Sequence, residues 1–300
     1  MGSLPISDRV ARTVWRVAPK RAFTGAISWV AGVALPGWAR ASFLTRFARL
    51  YGIDTAEAAR ALDDYTDLDD FFTRTLQPSV RPVDPAQDSI ASPSDGTVVE
   101  SGLASEGQLM QAKGILFDLE ELVSDAGMAA RLSGGPYLIT YLSPKDYHRV
   151  HAPISGEIVG WRYVPGTLFP VNAGSVRREP GLFIRNERFV TFIDGDAGLC
   201  AVVMVAAVGV GHVTAAYDAE VGTHDGSFLR AGHRRKDYTQ RPRVKKGDEV
   251  ATFHLGSTTV VVFEPGRVEL AALTAGAKTK MGEAIGRALP AGARHLVKTA

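Results

Sequence analysis

A chain of 300 residues with 45% hydrophobic and 22% charged residues has the composition of a folded globular protein, long enough for one large domain or two ordinary ones. A formal net charge of +2, with no run of basic residues interleaved with aromatics, leaves no nucleic-acid footprint. The single cysteine, Cys200, excludes an intramolecular disulfide; it lies in an apolar run, reads as a small core residue and suits a reducing compartment.

Charge is unevenly placed. Arg9, Arg12, Arg16, Lys20, Arg21, Arg40, Arg46 and Arg49 precede Asp54 with Asp8 as the one acid among them. Between these bases runs an uncharged apolar segment, Ala22 to Trp38, shorter than the ~20 residues of a spanning helix and broken by Pro36-Gly37. Trp29 and Trp38 with flanking arginines predict helices lying in the headgroup region of an anionic membrane. Two rival readings are a signal peptide with Ala39-Arg40-Ala41 as its exit and a helix pair packed on the protein's own core.

Residues 54–77 predict a helical pair, one helix capped by Asp54 or Thr55 and running to Leu62, the other started by Asp67 and running to Thr75. The carboxylates of Asp63, Asp64, Asp67, Asp69 and Asp70 read as a solvated helix face rather than a metal site.

After Pro78 short apolar runs alternate with Gly, Pro and Asp turns: Thr97 to Glu100, Tyr137 to Leu142, Gly156 to Val164, Phe189 to Ile193, Leu199 to Val208 and Val213 to Val221. Asp194-Gly195 signals a hairpin, and a helix is expected near Asp118 to Leu132. The stretch Glu249 to Phe263 reads as two strands meeting at a Leu255-Gly256-Ser257-Thr258 corner. The fold class is therefore α+β: N-terminal helices before a mostly antiparallel β domain resembling a barrel or sandwich. The divisions are residues 1–53 for the basic membrane-associating helices, 54–89 for a helical connector and 90–300 for a catalytic β domain.

Three polar clusters exceed what a simple β sandwich needs. Ser92-Pro93-Ser94-Asp95-Gly96 sets an aspartate in a rigid turn; Tyr141 to Pro153 carries His148 and His151 between prolines; and Ser257 follows Gly256 at the corner. Together they supply the Asp, His and Ser of a hydroxyl-activating relay, in which an imidazole takes the serine proton and a carboxylate fixes the imidazole tautomer. Each alone has a plainer reading: a turn aspartate bonded to its own backbone, surface histidines, a strand serine.

In order along the chain stand Phe71-Phe72-Thr73-Arg74-Thr75-Leu76 with Arg81-Pro82, the Ser-Pro-Ser-Asp-Gly turn, Gln111-Ala112-Lys113-Gly114, and Tyr141-Leu142-Ser143-Pro144-Lys145-Asp146-Tyr147-His148-Arg149-Val150-His151. Val164-Pro165-Gly166 with Leu168-Phe169, Asn186-Glu187-Arg188 and Leu255-Gly256-Ser257-Thr258 complete the set. This series, from about Phe71 to Gly266, resembles the phosphatidylserine decarboxylases, pyruvoyl-dependent enzymes whose proenzyme cuts itself. The Leu-Gly-Ser-Thr form is similar to the bacterial and mitochondrial type.

The resemblance implies that Asp95, His151 and Ser257 form the self-cleavage relay and that the Gly256-Ser257 peptide is cut, giving a large chain 1–256 and a small chain 257–300. It implies that Ser257 becomes the pyruvoyl cofactor and Schiff-base centre, and that His148 serves decarboxylation. An ordinary histidine pKa of about 6.5 makes His148 the candidate proton donor, a task that His151 could share. No metal is implied. The expected partners are phosphatidylserine in an anionic membrane, the chain's own two fragments as a heterodimer, and a second such unit as a homodimer, at the cytoplasmic face of the membrane as a peripheral protein. The pattern departs from the family at Val210-Gly211-His212 and between Gly222 and Tyr238, where substrate contacts are in doubt. Two further classes stand beside this one: a Ser-His-Asp hydrolase, for which no Gly-x-Ser-x-Gly elbow is present, and a non-catalytic lipid-surface β domain.

Overall fold

The computed structural model describes residues 20–112, 114–208, 212–223, 232–254 and 258–290. Helices α1 (Lys20–Ala31) and α2 (Gly37–Tyr51) come first, separated at the Pro36-Gly37 break, and Gly52 ends α2 in the left-handed conformation. The helix expected from Asp54 to Leu62 does not form. Two single 3-10 turns, Thr55–Glu57 and Leu62–Asp64, take its place. The reason is long-range pairing: the Ala59 amide donates to the Thr75 carbonyl and the Gln77 amide to that of Glu57, which pulls Ala58 into extended backbone. The second helix is present but short, α3 (Leu68–Phe72), with Asp67 accepting from the Asp70 amide as its cap.

The β domain opens with β1 (Ser89–Ala91), β2 (Gly96–Leu103), β3 (Gln108–Ala112) and β4 (Ile115–Asp118). The helix foreseen near Asp118 to Leu132 is two, α4 (Leu119–Val123) and α5 (Ala126–Leu132), because Ser124 turns left-handed and Asp125 caps afresh. Next come β5 (Pro136–Tyr141), β6 (Arg149–His151), β7 (Gly156–Val164), two short helices α6 (Ala173–Val176) and α7 (Leu182–Arg185), β8 (Arg188–Gly195) and β9 (Gly198–Val205). The hairpin turn lies one step past Asp194-Gly195, where Gly195 pairs with Gly198. The run Val213 to Val221 folds into a hairpin of β10 (His212–Ala215) and β11 (Asp218–Gly222) rather than one strand. Then follow β12 (Arg234–Asp237), β13 (Arg243–Val244), β14 (Glu249–His254), β15 (Thr258–Phe263), β16 (Val268–Leu270), β17 (Lys278–Thr279) and β18 (Ala284–Ala288).

All ladders between these strands are antiparallel, as expected. A nine-stranded sheet runs β12-β7-β8-β9-β15-β5-β2-β17, with β13 also on β7; a four-stranded sheet runs β11-β10-β14-β6. Strands β9 and β15 are buried along their whole length. Their side chains alternate between two cores. Cys200, Val202, Val261 and Phe263 face Val150, Val213 and Phe253 of the four-stranded sheet, while Val203, Val205, Val260 and Val262 face Leu119, Leu122 and Leu132 of α4 and α5. A strand buried on both faces needs apolar residues at every position, which is why these two read as unbroken apolar runs. Each such side chain contributes roughly 1.5–3 kcal/mol by burial. Cys200 belongs to this core, and burial pushes its thiol pKa up.

A third, small core of Leu44, Ala48, Ile53, Ala58, Tyr65 and Phe71 joins α2 to the connector. Among the described residues no helix is long and apolar enough to cross a membrane.

Gly96 starts β2 against the end of β5. A Cβ there would lie 2.4 Å from the Tyr141 carbonyl oxygen, a main-chain atom that cannot swing away. Gly96→Ala is therefore expected to lose about 1–3 kcal/mol, read as a lower urea midpoint.

Candidate active site

Two of the polar clusters, the turn 92–96 and the segment carrying His148 and His151, meet near the end of β14 and the start of β15. The His151 amide donates to the Pro93 carbonyl at 2.8 Å, and the Ser94 and Thr259 hydroxyls are 3.0 Å apart, so the turn ties β6 to β15. The Phe253 amide donates to the His148 carbonyl at 2.9 Å. Thr258 stands opposite Tyr141 of β5 and Val205 of β9. Gly256 and Ser257, the expected scissile pair, lie outside the described residues, as do Lys113 and Val210-Gly211; His254 and Thr258 bracket the corner. The Thr258 hydroxyl is buried and has no hydrogen-bond partner among the described residues.

His151 is oriented by main chain. Its Nδ1 is 2.8 Å from the Gly247 carbonyl, which can only accept, so Nδ1 carries the hydrogen. Nε2 then holds the lone pair and accepts from the Tyr147 hydroxyl at 3.2 Å. Burial lowers the imidazole pKa against the pull of the Gly247 carbonyl and Glu249. The ring is thus a neutral base at pH 7. Burial likewise pushes the Tyr147 phenol up to about 12, keeping it a donor.

Asp95 is close to His151, but no hydrogen bond joins them among the described residues. Its carboxylate accepts from Arg81, Nε to Oδ1 at 2.9 Å and Nη2 to Oδ2 at 2.6 Å, and from the Met281 amide at 2.9 Å. Arg81 grips Glu57 with Nη1 and Nη2 at 3.0 and 2.9 Å. Burial alone would lower the Arg81 pKa, but the bonds to Asp95 and then Glu57 raise it. The tautomer-fixing task expected of Asp95 is carried in this structure by the Gly247 carbonyl.

His148 differs from expectation in its ionisation. The ring is fully buried, 4.0 Å from Phe72 between centroids, and neither nitrogen has a hydrogen-bond partner among the described residues. Burial, and secondly the Arg74 guanidinium, push its pKa down to about 3. It is therefore neutral at pH 7, not an imidazolium exchanging near its ordinary value. Arg74 is itself 2% exposed, bonded through Nη2 to the Lys145 carbonyl at 3.2 Å, with Nε and Nη1 unpartnered among the described residues.

Arg81, Tyr147 and Gly247 were not assigned site roles from sequence. Tyr147 stood four residues before His151 and was within reach of a sequence argument; Arg81 and Gly247 reach the site across 14 and 96 residues, which no local spacing reveals.

A histidine kept neutral in the fold but free to ionise when unfolded favours unfolding as acid is added. Stability is intact above about pH 6.5 and falls below it by about 1.4 kcal/mol per pH unit for each such ring. For His148 the loss runs down to about pH 3. Urea unfolding at a series of pH values between 5 and 6.5, above most carboxylate titration, is expected to show this slope. His148→Phe, an apolar ring in an apolar seat, is expected to reduce it by one proton's worth.

Comparison with known proteins places this geometry in a family. Residues 68–287 match the phosphatidylserine decarboxylase family. A phosphatidylserine decarboxylase proenzyme of Anaeromyxobacter sp. (strain K) is 43% identical over 284 residues, covering 94% of this chain and 100% of that protein. The proteins of the same name from Myxococcus xanthus (strain DK1622) and Brevibacillus brevis (strain 47 / JCM 6285 / NBRC 100599) are 40% and 39% identical, over 88% and 81% of this chain and 92% and 86% of their own lengths. An ordered motif series, a family match over residues 68–287 and relatives matching along nearly the whole chain agree: the chain belongs to the phosphatidylserine decarboxylase family.

Proposed function

We propose that the chain is a proenzyme that cuts itself between Gly256 and Ser257 and, as chains 1–256 and 257–300, converts phosphatidylserine to phosphatidylethanolamine with a pyruvoyl group made from Ser257. The observation that carries this reading is the turn 92–96, which ties the neutral base His151 through Pro93 and the strand following Ser257 through Ser94. His151 Nε2 takes the Ser257 hydroxyl proton, and Oγ attacks the Gly256 carbonyl. The C–N bond breaks, leaving an ester to Oγ and a free Ser257 amine. Loss of the Ser257 α-proton expels the ester oxygen from Cβ as the Gly256 carboxylate; water then enters, ammonia leaves, and a ketone remains at the new amino end. Asp95 acts on His151 through its charge and by holding the turn in shape against Arg81.

The fit of the group rests on the corner's chemistry. Thr258 presents a buried hydroxyl with no partner among the described residues, and the two strands flanking it hold the new end on a rigid sheet. When present, the ketone supplies what no ordinary side chain has, an electron acceptor for the bond that releases CO2. His148, neutral and in a dry seat, is assigned to exchange a proton at the substrate α-carbon by way of its single N–H and lone pair. A carboxylate loses CO2 more readily where water is excluded, which the Phe72 contact favours.

An apolar cleft of about 590 Å³ is lined by Ile27 and Val30 of α1, Tyr51 of α2, and Leu142, Ala207 and Tyr141, the register partner of Thr258, at the ends of β5 and β9. Its lining suits acyl chains. Trp29, Trp38 and Leu50 are exposed on α1 and α2 at 73%, 89% and 78%, beside exposed Arg46 and Arg49, which supports peripheral attachment to an anionic membrane at its cytoplasmic face. Residues 1–53 then serve attachment, 54–89 the connection and 90–300 catalysis, in a two-chain unit that pairs as a homodimer.

Intact-mass measurement of the purified protein is expected to find two chains, the smaller blocked to Edman degradation, and Ser257→Ala is expected to stay whole and inactive. An active, uncut wild type with an unmodified serine at position 257 would end this reading. Replacing Trp29, Trp38 and Leu50 together by serine is expected to weaken binding to anionic liposomes by about tenfold or more while self-cleavage continues. Unchanged sedimentation with liposomes would remove the membrane assignment.

A further inference from the structure

Outside the relay, one side-chain cluster stands directly beside the corner. His254, the last described residue of β14, places Nδ1 2.7 Å from Asp69 Oδ2 on α3 and Nε2 3.2 Å from the Thr214 hydroxyl on β10. A carboxylate only accepts, so Nδ1 donates to Asp69, and in the neutral ring Nε2 accepts from Thr214. The opposite face of the ring pair is set by His212, the register partner of His254, stacked at 4.0 Å and 19°. A cleft of about 300 Å³ lined by Ser28, Trp29, Gly32, Asp69, His212 and His254 lets water reach the cluster.

We propose that Asp69 and His254 form a positioning lock for the scissile corner, holding the end of β14 in place so that the next three residues set out from a fixed point; this rests on the self-cleavage reading above. Three observations favour a lock over an incidental ion pair. Both nitrogens of the ring are engaged by different elements, so its orientation is determined. Asp69 rides on a rigid platform, since α3 is capped by Asp67 and buries Phe71 and Phe72. The same short segment also grips the rest of the site: Phe72 packs on His148, the Thr73 carbonyl accepts from Arg149 Nε at 2.9 Å, and Arg74 donates to the Lys145 carbonyl.

The far side of the corner needs no such device. Thr258 is held by ladders to β5 and β9, whereas β14 ends at His254 with β10 alone as its ladder partner there. On the self-cleavage reading, His254 comes to lie two residues from a new chain end, held among the described residues by the β10 ladder and by its side-chain bonds to Asp69 and Thr214. The histidine and aspartate are partly exposed, so their bond adds little to global stability, while a displacement of about an ångström at the attacking geometry costs up to about a hundredfold in rate.

The test is the rate of self-cleavage of freshly synthesised full-length proenzyme, followed by denaturing gel, for wild type, Asp69→Ala, His254→Ala and Asp69→Asn, with melting temperatures of the uncut forms in a Ser257→Ala background. Asp69→Ala and His254→Ala are expected to cut about tenfold to a hundredfold slower with melting temperatures near that of the parent. Asp69→Asn, which keeps an oxygen acceptor for Nδ1–H, is expected to restore cutting to within about threefold of wild type. Wild-type rates in both alanine variants would overturn the lock, as would an Asp69→Asn protein that is folded yet as slow as Asp69→Ala. A wild-type chain that never cuts would instead bring down the self-cleavage reading, and the lock with it.

Discussion

The architecture depends on a change of sheet between His254 and Thr258. Strand β14 is hydrogen-bonded into the four-stranded sheet and β15 into the nine-stranded one, and the two sheets face each other across a core of Val150, Val213, Phe253, Val261 and Phe263. Both residues that bracket this crossing are pinned by ladders, His254 on β10 and Thr258 on β5 and β9. On the proposed reading, the peptide to be cut lies between two anchored residues. That combination favours an intramolecular attack, because the cost of orienting the reacting groups is met by folding rather than at the moment of reaction. It also explains how a chain could survive the cut: the sheets remain joined through their shared core.

Two kinds of buried charge lie near this crossing, with different consequences. Arg81, Asp95 and Glu57 form a network in which the carboxylate of Asp95 is fully occupied, and it fixes the turn that both His151 and Thr259 lean on. Arg74 and His148 are the opposite case, buried with nitrogens that find no partner among the described residues. A buried guanidinium with only one of its nitrogens bonded among the described residues is costly. Burial keeps the neighbouring imidazole neutral, and the Arg74 charge adds to that effect. The two histidines of the Tyr141 to Pro153 segment thus stand in different environments: His151 is held and oriented by hydrogen bonds, while His148 lies in an apolar seat.

How much of this was legible in the sequence follows from the range of the forces involved. Strands β7, β14 and β15 were readable because β-branched and aromatic runs bounded by glycines report local backbone preference and burial together. The Asp54 to Leu62 helix was misread because its caps are real, Asp54 does accept from the Ala56 amide, yet pairing with residues 75–77 overrides the propensity a turn later. Likewise Val213 to Val221 has a strand's composition, and only the bonding of Tyr217 to Thr191 on a different sheet marks where it turns. Asp95, His148 and His151 were nameable by residue type and order. Their partners were not: the carbonyl that sets the His151 tautomer and the arginine that holds Asp95 are fixed by tertiary contacts alone.

The front of the chain connects to the crossing by packing rather than by charge. The apolar cleft takes one wall from α1 and α2, the helices that carry the exposed Trp29 and Trp38, and the other from the ends of β5 and β9, where Tyr141 is the register partner of Thr258. On the proposed reading, a lipid whose chains lie in that cleft would bring its headgroup to the corner without leaving the membrane plane, and desolvation of the tails would not have to be met twice. Helix α3 sits at the junction of these two systems, with Phe72 lining the cleft and touching His148, and Asp69 bonded to His254. A single five-residue helix thus links the wall of the apolar cleft to the end of β14, and on the proposed reading its burial serves the chemistry as much as the fold.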